Sequence, residues 1–206
     1  MSSSLSTPPG TSGPTGHEVV LDIETQNWFD DVGVNDHSLL KISVIGCYFY
    51  ETDEYRAFEE HEFSELWPRL ERADRLIGYN TIGFDYLVMN NYYTGDFGKF
   101  PTLDIMAEIQ KALGRRLKLE SVAQATIGEG KSAYGGQAVE WWKEGKIQEI
   151  KDYCLQDVKV TRLVYEYGLR HGALAYADRT GERKGIPVDL AFRQNAMPAI
   201  NLTMPF

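Results

Sequence analysis

The feature that most limits the fold is "VVLDIETQ", residues 19–26, an apolar run that ends in two carboxylates. Aliphatic residues such as Val19, Val20 and Ile23 favour a buried strand. Side chains alternate between the two faces of a strand, so Asp22 and Glu24 project from the same face. Two carboxylates side by side repel each other, and each is expensive to remove from water. The strand therefore either lies at an edge of the sheet or brings its carboxylates to a source of positive charge.

The remaining pattern predicts an α/β fold around a mixed sheet. After a polar loop over 25–38 with two exposed aromatic residues, strands are expected at 39–50, 54–59 and 75–80. The first two of these follow each other across the short turn "ETD" and should pair antiparallel. Helical periodicity is present in "FSELWPRL" and in later segments. The predicted helices cover 63–73, 84–93, 102–114, 117–128, 136–145 and 147–170, with a late hairpin of 174–178 and 186–190. Strands followed by alternating helices and strands predict an α/β fold with a mixed sheet.

The length of 206 residues is sufficient for one domain with a full core. In residues 2–17, 14 of 16 residues are Ser, Thr, Pro or Gly, a composition that cannot bury enough apolar surface to fold. We therefore expect a disordered tail over 1–17 and one folded domain over 18–190. Residues 191–206 form a C-terminal tail to which the sequence assigns no structure.

Charge and cysteine usage restrict the function classes. The formal net charge of −9 argues against broad, non-specific coating of nucleic acid. It is compatible with a nucleic-acid enzyme that binds divalent metal ions. Cys47 and Cys154 are far apart and form no CxxC motif, which favours a reducing cytoplasm over a disulfide scaffold or a cysteine zinc site. Neither a membrane-spanning run nor a secretory signal is apparent, so we expect a cytoplasmic protein without membrane contact.

Two further carboxylates occur where α/β proteins build sites. Asp85 follows a predicted strand at the start of a helix. Tyr153 and Asp157 are four residues apart on a predicted helix and therefore share one face. With Asp22 and Glu24, these groups form the all-oxygen donor set that Mg²⁺ and Mn²⁺ prefer. Two such ions activate water for phosphodiester hydrolysis, and their added charge of +4 would change the net charge from −9 to −5.

Three motifs in this order resemble those of the tyrosine subclass of DEDD-family 3′→5′ exonucleases, which belong to the ribonuclease H-like superfamily. "DIET" corresponds to the first motif, "YNTIGFD" to the second and "YCLQD" to the third. The histidine subclass has His five residues before the last Asp, where this chain has Asp152. The motifs span about two thirds of the chain, which is also similar to the proofreading domains of B-type polymerases. The resemblance implies a ribonuclease H-like mixed sheet of about five strands, flanked by helices, with "LDIET" in the middle.

This resemblance implies a role for each matched residue. Two Mg²⁺ or Mn²⁺ ions would be ligated by four carboxylates, namely Asp22, Glu24, Asp85 and Asp157. The Tyr153 hydroxyl would orient the attacking water, because a phenol with a pKa of about 10 is a weak base at neutral pH. The substrate would be the 3′ end of single-stranded DNA or RNA. Thr25 would contact the terminal nucleotide, Asn80 a phosphate, and Phe84 the terminal base through stacking.

Several alternatives remain open at this stage. Taken singly, Asp85 and Asp104 are helix caps, Asn80 is a turn former, and Phe84 is a core residue. "ATIGEGKS", residues 125–132, fits a relaxed phosphate-loop pattern, but the segment before it is helical rather than a strand, which argues against ATP hydrolysis. Lys131 within it would reach a substrate phosphate, and the basic run 111–118 is either a solvated turn or a backbone contact. At the level of function, the alternatives are a structure-specific endonuclease and a catalytically idle nucleic-acid-binding or scaffold module.

Overall fold

The computed structural model describes residue 14, residues 16–130 and residues 136–192. The strands are β1 (Glu18–Thr25), β2 (Ile42–Phe49), β3 (Glu54–Phe58), β4 (Arg75–Gly78), β5 (Thr102–Asp104), β6 (Ala173–Ala177) and β7 (Arg183–Pro187). The helices are α1 (Phe29–Val32), α2 (Phe63–Glu71), α3 (Asp85–Met89), α4 (Ile105–Leu113), α5 (Leu119–Ile127), α6 (Gln137–Lys143) and α7 (Ile147–His171). Within these ranges, no helix is both long enough and apolar enough to cross a membrane. The predicted tails and Lys131 lie outside the described residues, apart from a few tail positions that adjoin the domain.

The main sheet has five strands in the order β3-β2-β1-β4-β5. β1 lies at the centre, antiparallel to β2 and parallel to β4, and β2 is antiparallel to β3. The predicted mixed sheet, with "LDIET" in the middle, is therefore confirmed. Because β1 is central, Asp22 and Glu24 are not the charges of an edge strand.

Three predicted elements differ from the observed ones. Residues 102–104 form the whole of β5 rather than the start of a helix, because they pair with the free parallel edge of β4. Asp104 caps α4, which begins at the next residue. The late hairpin is β6 with β7, and β7 ends at Pro187, which has no N–H to donate to a ladder. The predicted helix over 84–93 ends at Met89 and continues as turns.

The loop over 25–38 is also more ordered than predicted. It contains α1 and a 3₁₀ turn over His37–Leu39. Trp28 is exposed, as expected, but Phe29 is half-buried. Its ring packs edge-on against the rings of His37 and Phe84, with centroids 5.0 and 6.3 Å away.

The alternation of side chains along β1 divides the core into two layers. Val19, Leu21 and Ile23 pack on one face of the sheet with residues of α2 and α3. Val20 packs on the other face, against α7 and α5. Asp22 and Glu24 belong to this second face by the period of the strand, so they point towards α7.

A buried polar network holds α7 at the opposite end of β1. The Glu18 carboxylate accepts hydrogen bonds from Arg75 Nε at 2.8 Å and from the Tyr165 hydroxyl at 2.9 Å. Arg75 also donates to the Tyr165 oxygen at 2.8 Å. These contacts join the first residues of β1 and β4 to the second half of α7. The first half of α7 is thereby directed along β1 towards its carboxylates.

Candidate active site

Asp22 and Glu24 stand at the end of β1, where the pairing with β2 becomes irregular. Asp22 lies opposite Gly46 and Glu24 opposite Val44, and the register then shifts between Glu24 and Thr25. Such an irregularity bends a strand and re-aims its side chains. Both carboxylates are half-buried, so they remain within reach of solvent and of a cation.

Gly46 lets α7 approach the sheet closely beside Asp22. A Cβ atom at this position would lie 2.7 Å from Cys154 Sγ and 3.1 Å from a methyl group of Val158. The Cys154 thiol in turn lies 3.5 Å from the backbone oxygen of Asp22. The close approach places the next turns of α7, which carry Tyr153 and Asp157, against the end of β1.

Three carboxylates meet at this contact. One oxygen from each of Asp22, Glu24 and Asp157 lies within 4.8 Å of the others. Burial raises the pKa of the neighbouring Cys154 thiol well above its usual value, and the charges of these three carboxylates raise it further. An all-oxygen set with this spacing fits a hard divalent cation such as Mg²⁺ or Mn²⁺.

A tight turn after β4 presents the fourth carboxylate. Asn80 adopts a left-handed conformation, with φ of 68°, which Asn tolerates better than most residues. The buried Asp104 carboxylate accepts hydrogen bonds from the backbone N–H of Asn80 at 2.9 Å and of Ile82 at 3.1 Å. It also accepts from Met106 N at 3.0 Å and so caps α4. Asp104 therefore joins the end of β5 to the turn that leads into Asp85.

Asp85 is buried at the start of α3 and lies beside β1. Its pKa is raised to about 7, first by burial and also by the charge of Asp104, while hydrogen bonds from the backbone of Asp85 itself and of Ile23 lower it. The contact with Ile23 places the carboxyl next to the strand residue between Asp22 and Glu24. Asp85 is not within the group of three close oxygens, but it lines the same cleft. A cation bound there would favour its ionised form.

The cleft has a volume of about 310 Å³. Tyr153 lines it from α7, and its ring packs edge-on against Trp141 at 5.9 Å. The predicted substrate residues Thr25, Asn80 and Phe84 also line it. Asn80 is thus both a turn former and a cleft residue, and the half-buried Phe84 both lines the cleft and packs against the apolar core. The remaining predicted contact, Lys131, lies outside the described residues.

Sequence reasoning missed several residues that complete the cleft. Trp28 and Phe29 add two aromatic rings to its wall, and Tyr79 adds a third. Trp28 and Phe29 were missed because they lie in a segment predicted to be a loop. Two adjacent aromatic residues in a polar loop are a weak indication of a binding site. Gly46 was the clearest overlooked signal, since a glycine inside an apolar strand often marks the close approach of another element.

Comparisons with known proteins agree with this geometry. The structure is similar to that of the family B DNA polymerase from the hyperthermophilic archaeon Pyrobaculum calidifontis, with a TM-score of 0.58 and 16% sequence identity. That match covers 76% of this chain and 25% of the polymerase chain, and at this identity it concerns the fold alone. The search of curated protein sequences gave no match. A family model described as the RNase H superfamily matches residues 19–168, which include all of β1 except its first residue, all of α3 and most of α7. The chain therefore belongs to the RNase H superfamily, and its fold is that of an RNase H-like nuclease.

Proposed function

We propose that this protein is a 3′→5′ exonuclease of the tyrosine subclass that removes nucleotides from the end of a single strand with the help of two Mg²⁺ or Mn²⁺ ions. The main support is the meeting of Asp22, Glu24 and Asp157 beside Asp85 and Tyr153 in one cleft. Membership of the RNase H superfamily supports nuclease activity. These five groups come from three distant segments, and folding brings them together.

The carboxylates would hold the ions, with Asp85 and Asp157 as the two buried ligands and Asp22 and Glu24 as the two half-buried ones. When bound, such ions activate a water molecule and stabilise the charge on the leaving oxygen of a phosphodiester. The Tyr153 hydroxyl would orient the attacking water by a hydrogen bond, as a positioned donor or acceptor rather than as a strong base.

Aromatic residues at the rim would hold the terminal base. Phe84 and Phe29 line the cleft as an edge-on pair, and the exposed Trp28 lies next to them. Stacking of a base on such a ring contributes about 1–3 kcal/mol per base and is tolerant of base identity. Single-stranded ends fit this arrangement because their bases are free to unstack.

The test uses single-stranded DNA and RNA labelled at the 5′ end, with Mg²⁺, Mn²⁺ or a chelator. A descending ladder that requires metal is expected for the wild type, and its loss for Asp22→Ala and Asp157→Ala. Glu51→Ala is the matched control, because Glu51 is exposed beyond β2 at the end away from the cleft. Binding of Mn²⁺ measured by calorimetry provides a readout apart from activity. Internal fragments instead of a ladder would contradict the exonuclease assignment, and full activity of Asp22→Ala would contradict the site.

A further inference from the structure

A second pocket lies between the loop after α4 and the turn of the β6–β7 hairpin. It has a volume of about 420 Å³ and is lined by Arg115, Ala177, Asp178 and Arg179. Both arginines are exposed. The Arg115 guanidinium lies over the ring of Tyr176, 4.9 Å from its centroid. We call Arg115, Tyr176 and Arg179 the hairpin surface.

The turn that carries Arg179 is held rigidly. Asp178 accepts hydrogen bonds from Thr180 N at 2.8 Å, Thr180 Oγ1 at 2.6 Å and Glu182 N at 3.1 Å. The pKa of Asp178 is lowered mainly by the hydrogen bond from the Thr180 hydroxyl, and to a smaller extent by the hydrogen bond from the Thr180 backbone. The carboxylate of Asp178 is therefore engaged in the turn, and its second oxygen lies 4.0 Å from Lys184 Nζ, so the two exposed arginines supply the positive charge of the pocket.

The hairpin itself is attached to α5. The Thr126 hydroxyl accepts a hydrogen bond from Ala175 N at 2.9 Å, and Arg183 Nε donates to Ala125 O at 2.7 Å. The hairpin lies beyond residues 19–168, the part matched by the family model. This basic element therefore lies outside the part of the chain that the family model covers.

The loop that carries Arg115 borders the candidate active site. Tyr79 lines the cleft, and its hydroxyl donates a hydrogen bond to the backbone oxygen of Leu117 at 2.9 Å. Arg116 and Lys118, on either side of Leu117, are exposed. Positive charge therefore begins next to the cleft and continues to the hairpin.

The charge of the chain explains why a basic surface outside the cleft would matter for nucleic-acid binding. The chain carries a formal charge of −9, and four of its carboxylates line the cleft. A strand of nucleic acid needs cationic contacts outside the cleft to overcome this repulsion. Arginine suits that purpose, because its planar guanidinium forms paired hydrogen bonds with phosphate oxygens.

From this geometry we infer that the hairpin surface binds the phosphate backbone of the single-stranded substrate, upstream of the 3′ end that lies in the cleft. The inference rests on the proposed function, since it concerns the substrate of the same site. Arg115 and Arg179 contact phosphates, and Arg116 and Lys118 continue the contact towards the cleft. The surface favours longer strands without reading their sequence.

The experiment measures the binding of a fluorescent oligonucleotide of about 12 nucleotides, a length typical of single-strand binding sites, to the full chain in the presence of a chelator. The variant is Arg115→Ala/Arg179→Ala, and the matched control is Arg72→Ala/Arg170→Ala. The control removes the same charge from exposed positions at the end of the domain away from the cleft. Thermal unfolding of both variants verifies that the fold is intact.

We expect the hairpin variant to bind about tenfold more weakly than the control. Its slope of log affinity against log salt should be smaller by about 1.4, because each single-strand phosphate contact contributes about 0.7. Hydrolysis of a dinucleotide in Mn²⁺ should proceed at the wild-type rate, since its single phosphate occupies the cleft. Equal affinity and salt slope in the two variants would overturn the inference, whether or not the protein is a nuclease. A different result is also informative: the hairpin variant binds the oligonucleotide more weakly, but the wild type hydrolyses neither the oligonucleotide nor the dinucleotide. That result would refute the proposed function and leave the hairpin surface as a nucleic-acid-binding site.

Discussion

Gly46→Ala tests whether the close approach of α7 builds the site. The added methyl group would lie 2.7 Å from Cys154 Sγ, about 1 Å closer than an ordinary carbon–sulfur contact. Overpacking of this kind typically costs about 1–3 kcal/mol of unfolding free energy. Part of that loss is offset, because alanine in a strand has a backbone advantage over glycine of about 0.5–1 kcal/mol.

The larger effect is expected on activity. Relief of the contact moves α7 away from β1, and α7 carries both Tyr153 and Asp157. A displacement of about 1 Å at a reacting centre lowers the rate by about 100-fold. Mn²⁺ affinity should also fall, because Asp157 moves away from Asp22 and Glu24.

A second substitution isolates the cause. Cys154→Ala removes the sulfur atom, after which the nearest neighbour of the new methyl group is Val158 at 3.1 Å. Gly46→Ala/Cys154→Ala should therefore recover Mn²⁺ affinity and single-turnover rate relative to Gly46→Ala, as a positive coupling in a double-mutant cycle. Gly185→Ala is the control, since it also places alanine in a strand. Apart from the two chain neighbours of residue 185, none of the described residues has an atom within 4 Å of the added methyl group. Wild-type rate and Mn²⁺ affinity in Gly46→Ala would refute the reasoning.

Three further predictions concern the cleft. Tyr153→Phe keeps the ring that packs on Trp141 and should lower kcat by about 10²–10³ with little change in substrate affinity; equal single-turnover rates at saturating Mn²⁺ would restrict Tyr153 to packing. Asp104→Asn replaces one acceptor oxygen and should cost about 1–3 kcal/mol of unfolding free energy, together with weaker Mn²⁺ binding, because the turn before Asp85 loses a support; unchanged urea unfolding would contradict this. Asp85 has a folded-state pKa raised from 3.8 to about 7, so its effect on metal-free stability is favourable below pH 4 and is lost as the pH rises through 7. Asp85→Asn should therefore be more stable than wild type by about 2–4 kcal/mol at pH 8 in a chelator, and an advantage that is the same at pH 4 would be the wrong result.

Local patterns in the sequence were enough to predict β1 and α7. Period 2 placed Asp22 and Glu24 on one face of a strand, and a spacing of four placed Tyr153 and Asp157 on one face of a helix. These are properties of neighbouring residues, which a sequence displays directly. The three motifs and their order then predicted the ribonuclease H-like fold, which the family match confirms.

Features that depend on distant contacts were not predictable in the same way. β5 has three residues, too few for a recognisable period, and it exists because β4 has an unpaired parallel edge. Asp104 was predicted to be a helix cap, which is correct, but its hydrogen bonds to Asn80 and Ile82 arise only when β5 lies beside β4. Gly46 was visible inside an apolar strand, but its role depends on α7, which packs too closely there to admit a side chain.

The assembly of like charges in the cleft has to be stabilised elsewhere in the molecule. Asp22, Glu24 and Asp157 repel one another, and Asp85 is held in an environment that favours its neutral form. Without a bound cation, this repulsion therefore favours separation of α7 from β1. That separation is opposed at the other end of the same two elements, where Glu18 binds Arg75 and Tyr165, and by the apolar packing of Val160 and Val164. The strain of the site and the anchor that resists it thus lie on one strand and one helix, so loosening the anchor should weaken metal binding although none of its residues contacts the cleft.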